Sequence, residues 1–378
     1  MNENSRKKGI SSFLKICPVR YFLIVLSAVI ILLHLLTRSG RLQMMWISDH
    51  AIRPIHRALS VWTSHVPFSV AELLIALLVI LSIVYLVLQV IALFRKPDKL
   101  KRVYKTLISF ITAGLMIYAG FCLLWGVYYY GDDFITRSGL KNDKISAGEL
   151  AEVTEYFAGM ANEYSALVTR DPNGVYSADT GSIIAVSDEV YLKTEKRYPC
   201  LEGPEVRAKG VICSRIMSYV DFTGFFFPFT AEANVNTETP SAYFASTVAH
   251  ELAHQRGVAK EQEANFVAVL ASLEYGDPDY VYSAAVLAYT HLGNALYDAD
   301  YEKWEEIYKG LDEKVLADLK ANREYWQRFD TPVQKASNTV YENFLYSYNQ
   351  DLGLKSYGAC VDLLVNYYYD TALAANNS

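Results

Sequence analysis

The chain has 378 residues, of which 52% are hydrophobic and 20% are charged, and its formal net charge at pH 7 is −6. This length suits two or three domains. The charge is unevenly placed: residues 1–105 hold 15 basic against 4 acidic side chains, whereas residues 106–378 hold 20 against 37. Because the second part is acidic, no nucleic-acid partner is expected.

Three long apolar runs dominate the first third of the chain. They predict membrane-spanning helices, because each approaches or exceeds the roughly 20 residues needed to cross a bilayer. A signal peptide is the alternative for the first run, but no small-residue cleavage site follows it. Buried core helices are the alternative for all three, and their length and lack of charge disfavour this. We therefore predict a membrane domain over residues 1–130, with spans at about residues 20–37, 68–94 and 106–128.

Basic residues flank these spans unevenly and predict an orientation. The segment before the first span and the loop at residues 95–105 are rich in lysine and arginine, so both are expected in the cytoplasm. The loop at residues 38–67 also holds four arginines, which weakens the bias. Three spans then place residues 131–378 in an extracytoplasmic domain. The expected protein is a multi-pass protein of the cell membrane, with the lipid bilayer as a partner.

The part of the chain that follows the spans is predicted to be mostly helical. Ser146 and Glu149 form a capping-box pattern at the start of a helix that runs to about Val168. An aromatic, β-prone stretch at residues 225–236 contains Pro228, which limits it to an edge strand or a bent one. Further helices are expected at about residues 181–197, 240–256, 260–275, 280–297, 301–310 and 312–329, and the stretch at residues 338–374 is expected to contain further helix.

Cysteine usage gives little guidance on the extracytoplasmic part. Cys200 and Cys213 are close enough in sequence for a disulfide in an oxidising compartment, and this pairing stays open. The number of cysteines beyond the spans is odd and no CxxC motif occurs, so a cysteine metal site is not expected.

The stretch TVAHELAHQ, residues 247–255, contains an HExxH motif. His250 and His254 lie four residues apart and therefore on one face of a helix, where both imidazoles can reach a single Zn²⁺. Glu251 points toward the same space and can act as a general base on metal-activated water. The alternative is an ordinary helix with exposed histidines. The small and apolar residues around the motif favour a buried active-site helix.

The third ligand is expected to be a carboxylate, because His291 lies far along the chain from the motif. The third histidine of metzincins is absent, since position 260 is a lysine. Glu261 and Glu263 compete, and they cannot both face one metal because they lie about 200° apart around a helix. Glu261 is favoured, since it opens an ExxxN pattern similar to that of Glu-type zincins. Asn265 would then support a ligand histidine.

Three segments carry a resemblance to a known family: FTAEANVN at residues 229–236, HELAHQRG at 250–257 and EQEANF at 261–266. They are similar to a bacterial domain-of-unknown-function family of multi-span membrane proteins, family 3810, and the similarity covers the whole chain. That family resembles Glu-type zinc metallopeptidases through its HExxH helix, although its name asserts no activity. The short gap between the motif and Glu261 departs from most Glu-type zincins.

Peptide hydrolysis at such a site needs a second electrophile beside the metal to stabilise the oxyanion. The helix that follows the Glu261 helix offers three candidates: Tyr282, Tyr289 and His291. With 29 tyrosines in the chain, a packing role is the alternative for each tyrosine.

The segment at residues 230–236 is a candidate for substrate binding. As an edge strand it could pair with an extended peptide. Its polar side chains are Glu232, Asn234 and Asn236. The alternative is a structural strand whose asparagines cap turns.

Together these patterns predict a mainly α membrane protein. Three N-terminal transmembrane helices precede a mostly helical, zincin-like α+β extracytoplasmic domain with a small edge-strand element, over residues 131–378. The expected function is zinc-dependent hydrolysis of peptides or envelope proteins with Glu251 as general base.

A non-catalytic, metal-stabilised binding or sensor module at the cell envelope is the main alternative. Glu251 favours the enzyme, because a structural zinc site has four ligands and needs no base. A transporter is disfavoured, because the spans lack paired charges and internal repeats. Intramembrane proteolysis is disfavoured too, because the motif lies more than 100 residues beyond the third span.

Overall fold

A computed structural model describes residues 16–348 and 357–376 of the chain. The chain divides into two compact units. The first comprises Met1–Ile52 and Ala71–Gly131, and the second comprises Arg53–Val70 and Asp132–Ser378. The basic residues of the first 15 positions, which contributed to the predicted orientation, lie outside the described residues.

The first unit is built on three long apolar helices, α1 (Pro18–Thr37), α4 (Val70–Arg95) and α5 (Lys99–Leu124). Each is long and apolar enough to cross a membrane. Most of their large apolar side chains are exposed, as lipid-facing side chains are. The predicted spans are thus present as helices, and α4 begins at Val70, so that Glu72 lies in its first turn, where an acidic side chain is favourable. A short helix α2 (Arg41–Ile47) follows α1.

The second unit is mostly helical, as predicted, and the sequence explains several of its helix ends. Ser146 and Glu149 form the predicted capping box, with Ser146 Oγ accepting from the backbone N–H of Glu149. The helices are α3 (Arg53–Ser64), α6 (Phe134–Ser138), α7 (Ala147–Ser165), α8 (Thr180–Ala185), α9 (Thr194–Arg197), α10 (Ser214–Tyr219), α11 (Phe244–Gln255), α12 (Glu261–Tyr275), α13 (Pro278–Ala299), α14 (Tyr301–Lys309), α15 (Glu313–Gln327), α16 (Pro332–Ser347) and α17 (Tyr357–Asn376).

The core of the second unit lies where α13 packs against α7 and α12, and where α11 packs against α12. The facing positions of these helices are small or apolar, so the axes approach closely; Ala249, Ala264 and Ala285 are fully buried. This packing holds the HExxH helix rigidly between its neighbours. A hydrophobic core of this kind supports a site on helices more precisely than loops would.

A small sheet covers one side of α11. Its strands are β1 (Lys209–Gly210), β2 (Gly224–Phe227) and β3 (Glu232–Val235), in the order β1-β3-β2. β3 pairs in parallel with β1 and antiparallel with β2. The prediction of one edge or bent strand at residues 225–236 therefore needs correction, because the stretch forms the edge strand β2 and the central strand β3. The chain turns back after Phe227, around Pro228, so that the stretch forms a hairpin and its second half becomes the central strand.

One other prediction needs correction in detail. The helix predicted at residues 181–197 is two short helices, α8 and α9, separated by turns. The buried Tyr191 lies between them and donates a hydrogen bond to the carbonyl of Ala249 at 2.7 Å, a tertiary contact that local propensity does not reveal. The stretch at residues 338–374 was predicted to contain further helix, and α16 and α17 lie there; α16 begins before it, at Pro332, and residues 349–356 lie outside the described residues. None of the five cysteines forms a disulfide, so Cys200 and Cys213 are not linked to each other.

The second unit includes Arg53–Val70, a segment that lies before residue 130, where the sequence predicts the boundary between the membrane domain and the extracytoplasmic domain. Within the second unit, Lys209 Nζ donates to the carbonyls of Thr63 and Phe68 at 2.8 and 3.1 Å. Ser69 Oγ donates to Asn234 Oδ1 at 2.6 Å. The second unit is therefore built from two separate stretches of the chain.

Candidate metal centre

The HExxH motif lies in α11, which is buried along nearly its whole length. His250 and His254 point to the same side, with ring centroids 4.6 Å apart and ring planes at 89°. The helix ends at Gln255, and Gly257 follows with a φ of +87°, a conformation that favours glycine. This sharp turn sends the chain back toward the histidines within a few residues.

α12 begins at Glu261, which the turn brings against both histidines. Its Oε2 lies 3.2 Å from Nε2 of His250 and 3.6 Å from Nε2 of His254. One ligand atom from each of the three side chains lies within 4.8 Å of the others. Two imidazole nitrogens and one carboxylate oxygen are the donor set of catalytic zinc sites, in which a fourth position stays open. The residues therefore fit Zn²⁺.

Two further hydrogen bonds hold the cluster in place. His254 Nδ1 donates to the carbonyl of Val258 at 2.6 Å. A carbonyl can only accept, so Nδ1 carries a proton, and Nε2 is the ring nitrogen that faces Glu261. The hydroxyl of Tyr341, on α16, donates to Oε1 of Glu261 at 2.8 Å. This leaves Oε2 as the oxygen that faces the histidines.

The charges within the cluster support one another. Burial alone would lower the pKa of His254, but the adjacent Glu261 carboxylate outweighs this and raises that pKa to about 9. Burial alone would raise the pKa of Glu261, but the two histidines hold it well below its usual range. Glu261 is thus an anion facing two imidazoles, which is the protonation state a metal ligand needs.

Glu251 lies next to this cluster and is 4% exposed. Burial raises its pKa to about 7. Within the described residues its Oε2 is buried without a hydrogen-bond partner. The side chain packs beneath Gly224 of β2, where an added Cβ would lie only 2.5 Å from Oε1 of Glu251. The sheet thereby fixes the position of Glu251 through a glycine that nothing larger can replace without displacing the carboxylate.

The structure separates the two competing glutamates. Glu263 is buried and accepts a hydrogen bond from the backbone N–H of Phe134 at 2.9 Å, away from the histidines. Glu261 is the one that joins them. Asn265 borders the same cavity as His250, but among the described residues it donates no hydrogen bond to a ligand histidine. Instead of Asn265, the carbonyl of Val258 orients His254, and the hydroxyl of Tyr341 orients Glu261.

A cavity of about 420 Å³ opens onto His250 and Glu261. Most of its lining side chains carry neutral hydroxyl or amide groups or are aromatic. It is lined by Thr223, Thr239, Pro240, Tyr243, Ser246, Thr247, His250, Glu261, Asn265, Leu287, Thr290, His291, Asn322, Trp326 and Tyr341. A concave site of this size with convergent polar groups can hold a small ligand or a short stretch of peptide.

The three candidates for oxyanion stabilisation have different surroundings. His291 lines the cavity, and burial lowers its pKa to about 4, so it is neutral at pH 7. Tyr289 is buried in the core and Tyr282 is bonded to Asp318, and neither lines the cavity. The structure therefore brings only His291 of the three to the cavity.

The three polar side chains of the 230–236 segment are engaged within the fold. Glu232 accepts from Lys209 Nζ at 2.5 Å and from the backbone N–H of Val70 at 3.1 Å. Asn234 accepts from Ser69, and Asn236 Nδ2 donates to Ser218 Oγ at 2.9 Å. All three are buried in or beside the central strand, which leaves no free strand edge there for a peptide. The free edges belong to β1 and β2 within the described residues.

Sequence reasoning missed Tyr341, Gly224 and Trp326. Tyr341 lies 80 residues beyond Glu261 and is one of 29 tyrosines, so no local pattern marks it. Gly224 can be recognised only from its contact with α11 in the folded protein, and Trp326 only from its place in the cavity wall.

A family model described as "Protein of unknown function (DUF3810)" matches residues 48–365. No curated protein matches the chain. No solved structure matches it either.

Proposed function

Because the chain belongs to the DUF3810 family, whose description assigns no activity, we infer its function from its own side chains and propose a membrane-anchored zinc metallopeptidase. The observation that carries this proposal is the cluster of His250, His254 and Glu261 beside a buried carboxylate, Glu251. A cluster held only for stability has no use for a second carboxylate with an unbonded, buried oxygen, whereas hydrolysis needs a base at that position.

In the proposed reaction, His250, His254 and Glu261 would hold the zinc ion. Bound zinc would supply Lewis-acid polarisation of a water molecule and of the scissile carbonyl. Glu251 would take a proton from the attacking water at its unbonded oxygen and pass it to the leaving amine. His291, neutral in the cavity wall, would donate to the oxygen on which negative charge develops.

The proposed location of the site is outside the cytoplasmic membrane, with the N-terminus in the cytoplasm. The basic loop at residues 95–105 supports this side assignment. The second unit is built from two stretches of the chain, which must therefore lie on the same side of the membrane. Two candidate spans, α4 and α5, separate Arg53–Val70 from Asp132–Ser378, and a pair of spans returns the chain to the side that it left. Peptides or envelope proteins are then the proposed substrates.

Zinc content of the full-length protein tests the metal site. About one zinc per chain is expected, as for a catalytic site with three protein ligands. His250→Ala and Glu261→Gln should lose it. Glu263→Gln is the matched control, because Glu263 lies two residues away on the same helix but accepts from Phe134 instead, and it should retain the metal. A folded wild-type protein that stays metal-free when zinc is supplied would contradict the proposal.

Hydrolysis of a peptide library by the zinc-loaded, full-length protein tests the activity. Glu251→Gln should keep the zinc and lose about 10²- to 10⁴-fold in rate, the usual contribution of a general base. Cleavage at the wild-type rate by this variant would refute the mechanism. A wild-type protein that holds zinc and cleaves nothing would favour the metal-stabilised binding module.

A further inference from the structure

Helix α3 (Arg53–Ser64) has its polar face turned inward. His56, Ser60 and Thr63 recur at helical spacing and are each at most 3% exposed. Ser60 Oγ donates to the carbonyl of Ala231 at 2.7 Å, and Thr63 Oγ1 donates to the carbonyl of Thr230 at 3.3 Å. These bonds attach α3 to the turn that precedes β3. The polar face is therefore the one that the second unit uses for packing.

The opposite face of α3 is apolar and exposed. Ile55, Val61 and Trp62 are 43%, 45% and 66% exposed, and Phe68, just beyond the helix, is 43% exposed. We call these four residues the outer face of α3. A helix on the surface of a soluble protein has the reverse arrangement, with its apolar stripe against the core. Exposure of these apolar side chains to water is unfavourable, so the outer face is expected to lie against an apolar environment.

The chain itself indicates which environment this is. Only five residues separate Ser64, the end of α3, from Val70, the start of the 26-residue apolar helix α4. Even fully extended, these few residues reach only about 20 Å. On the other side of α3, the apolar helix α1 ends at Thr37. α3 is thus held between two candidate spans, and tryptophan and phenylalanine are typical of the apolar face of helices that lie at the membrane surface.

We propose that α3 lies in the plane of the membrane, with its outer face among the lipid headgroups and upper acyl chains and its polar face bonded to the second unit. The proposal concerns attachment to lipid and does not depend on peptide hydrolysis. It rests on α1 and α4 being membrane spans. Helices of this kind bind through the apolar area that they bury in the interface.

α3 is also connected to the candidate metal centre through one side chain. Gln255, the residue after His254, donates from Nε2 to the carbonyl of Ala231 at 2.8 Å and to Ser60 Oγ at 3.4 Å. The HExxH helix and the proposed lipid-bound helix therefore share a hydrogen-bonded partner. A lipid-bound α3 would hold the metal centre at a fixed, short distance from the bilayer surface, so that membrane-proximal chains are within its reach.

Spin-label accessibility in the full-length protein tests this proposal. The protein is placed in nanodiscs of phosphatidylcholine and phosphatidylglycerol, in a background where Cys200 and Cys213 are replaced by serine, because the other three cysteines are buried. A nitroxide is attached at Trp62→Cys or Val61→Cys. Collisions with oxygen, which concentrates in lipid, are compared with collisions with a water-soluble nickel chelate. Circular dichroism checks that each variant is folded.

The matched control is Lys320→Cys, on α15, whose side chain is 70% exposed. The ratio of oxygen to nickel collisions at positions 61 and 62 should be several-fold higher than at position 320. A ratio equal to that of the control would place the outer face in water and overturn the proposal. Low collision rates with both reagents would mean that protein covers the face, such as a second copy, and would overturn it as well.

Discussion

At the scale of single residues, the carboxylate of Glu261 is the best defined feature of the candidate metal centre. One of its oxygens faces two imidazoles, and the other accepts a hydrogen bond from Tyr341. Groups that orient a ligand in this way commonly contribute 10- to 100-fold to metal affinity. Tyr341 is therefore expected to act on zinc through Glu261.

Tyr341→Phe removes this one hydroxyl and keeps the ring. We expect zinc affinity to fall about 10- to 100-fold, since Glu261 loses the bond that fixes its orientation. The measurement is a competition titration of the full-length protein against a chelator of known affinity. Tyr346→Phe is the control, because Tyr346 lies on the same helix and is half-exposed. Equal zinc affinity in both variants would show that Tyr341 does not contribute to the metal centre.

His56, on the inner face of α3, makes stability depend on pH. Burial lowers its pKa from 6.5 to about 4. A histidine that is neutral in the folded state contributes its stability fully above pH 6.5, and this contribution is lost as the pH falls toward 4. Between pH 7.5 and pH 5 the free energy of unfolding should therefore fall by about 2 kcal/mol through this residue.

The measurement compares thermal unfolding of wild type and His56→Asn across this pH range. The variant cannot titrate at this position, so its stability should depend less on pH. His65→Asn, at an exposed position two residues before Pro67, is the control and should keep the wild-type dependence. Parallel curves for wild type and His56→Asn would disprove the assignment.

The sequence identified the residues of the centre that share a local pattern. The spacing of His250 and His254 and the turn at Gly257 are local, so they could be read directly. The choice of Glu261 over Glu263 depends on which side of α12 faces α11, and the sequence could only favour it. Tyr341 and Gly224 reach the centre through tertiary contacts alone, and therefore no sequence pattern marked them.

At the scale of secondary structure, helices that carry the site depend on a buried ionic cluster at some distance from it. Asp318 of α15 pairs with Arg170, whose Nη1 and Nη2 donate to its two oxygens at 3.1 and 3.0 Å. Asp318 also accepts hydrogen bonds from the backbone N–H of Tyr176 at 2.7 Å and from the hydroxyl of Tyr282. α15 carries Trp326 and Asn322 into the cavity wall, so this cluster positions part of the wall.

Asp318→Ala leaves the guanidinium of Arg170 buried without its charge partner. We expect the free energy of unfolding to fall by about 3–5 kcal/mol, the usual effect of breaking a buried ion pair from one side. Asp330→Ala is the control, because its pair with Lys335 is largely exposed and such pairs contribute at most about 1 kcal/mol. Chemical denaturation of both variants measures the difference. A loss below 1 kcal/mol for Asp318→Ala would contradict this prediction.

Helices with strong local signals were predictable, whereas the strands were not. The capping box at Ser146 and the apolar spans depend on nearby residues and were read correctly. The stretch at residues 225–236 has the composition of one strand, but it forms a hairpin of two strands, and its second half also pairs with β1, 25 residues upstream. A pairing partner that is distant in sequence cannot be recognised from the residues of the strand itself.

At the scale of the whole molecule, the second unit needs a segment that precedes two candidate spans. A fragment of residues 132–376 would lack Arg53–Val70, and at least ten hydrogen bonds between that segment and the described rest of the unit would be lost. At about 1 kcal/mol for each bond, we expect a loss of several kcal/mol of stability. Thermal unfolding should show it against the same fragment with residues 53–70 joined through a flexible linker. Equal melting temperatures would show that the segment is dispensable.

The divided second unit has a consequence for how the protein is made. Val70 and Glu232, which are bonded in the folded unit, lie 162 residues apart in the chain. At roughly 5–20 residues per second, about 8–30 s pass between the synthesis of one and that of the other. During that interval the polar face of α3 has no sheet to bind. The bilayer would retain the helix by its outer face until the sheet arrives, and the membrane would act as the first folding partner of the unit.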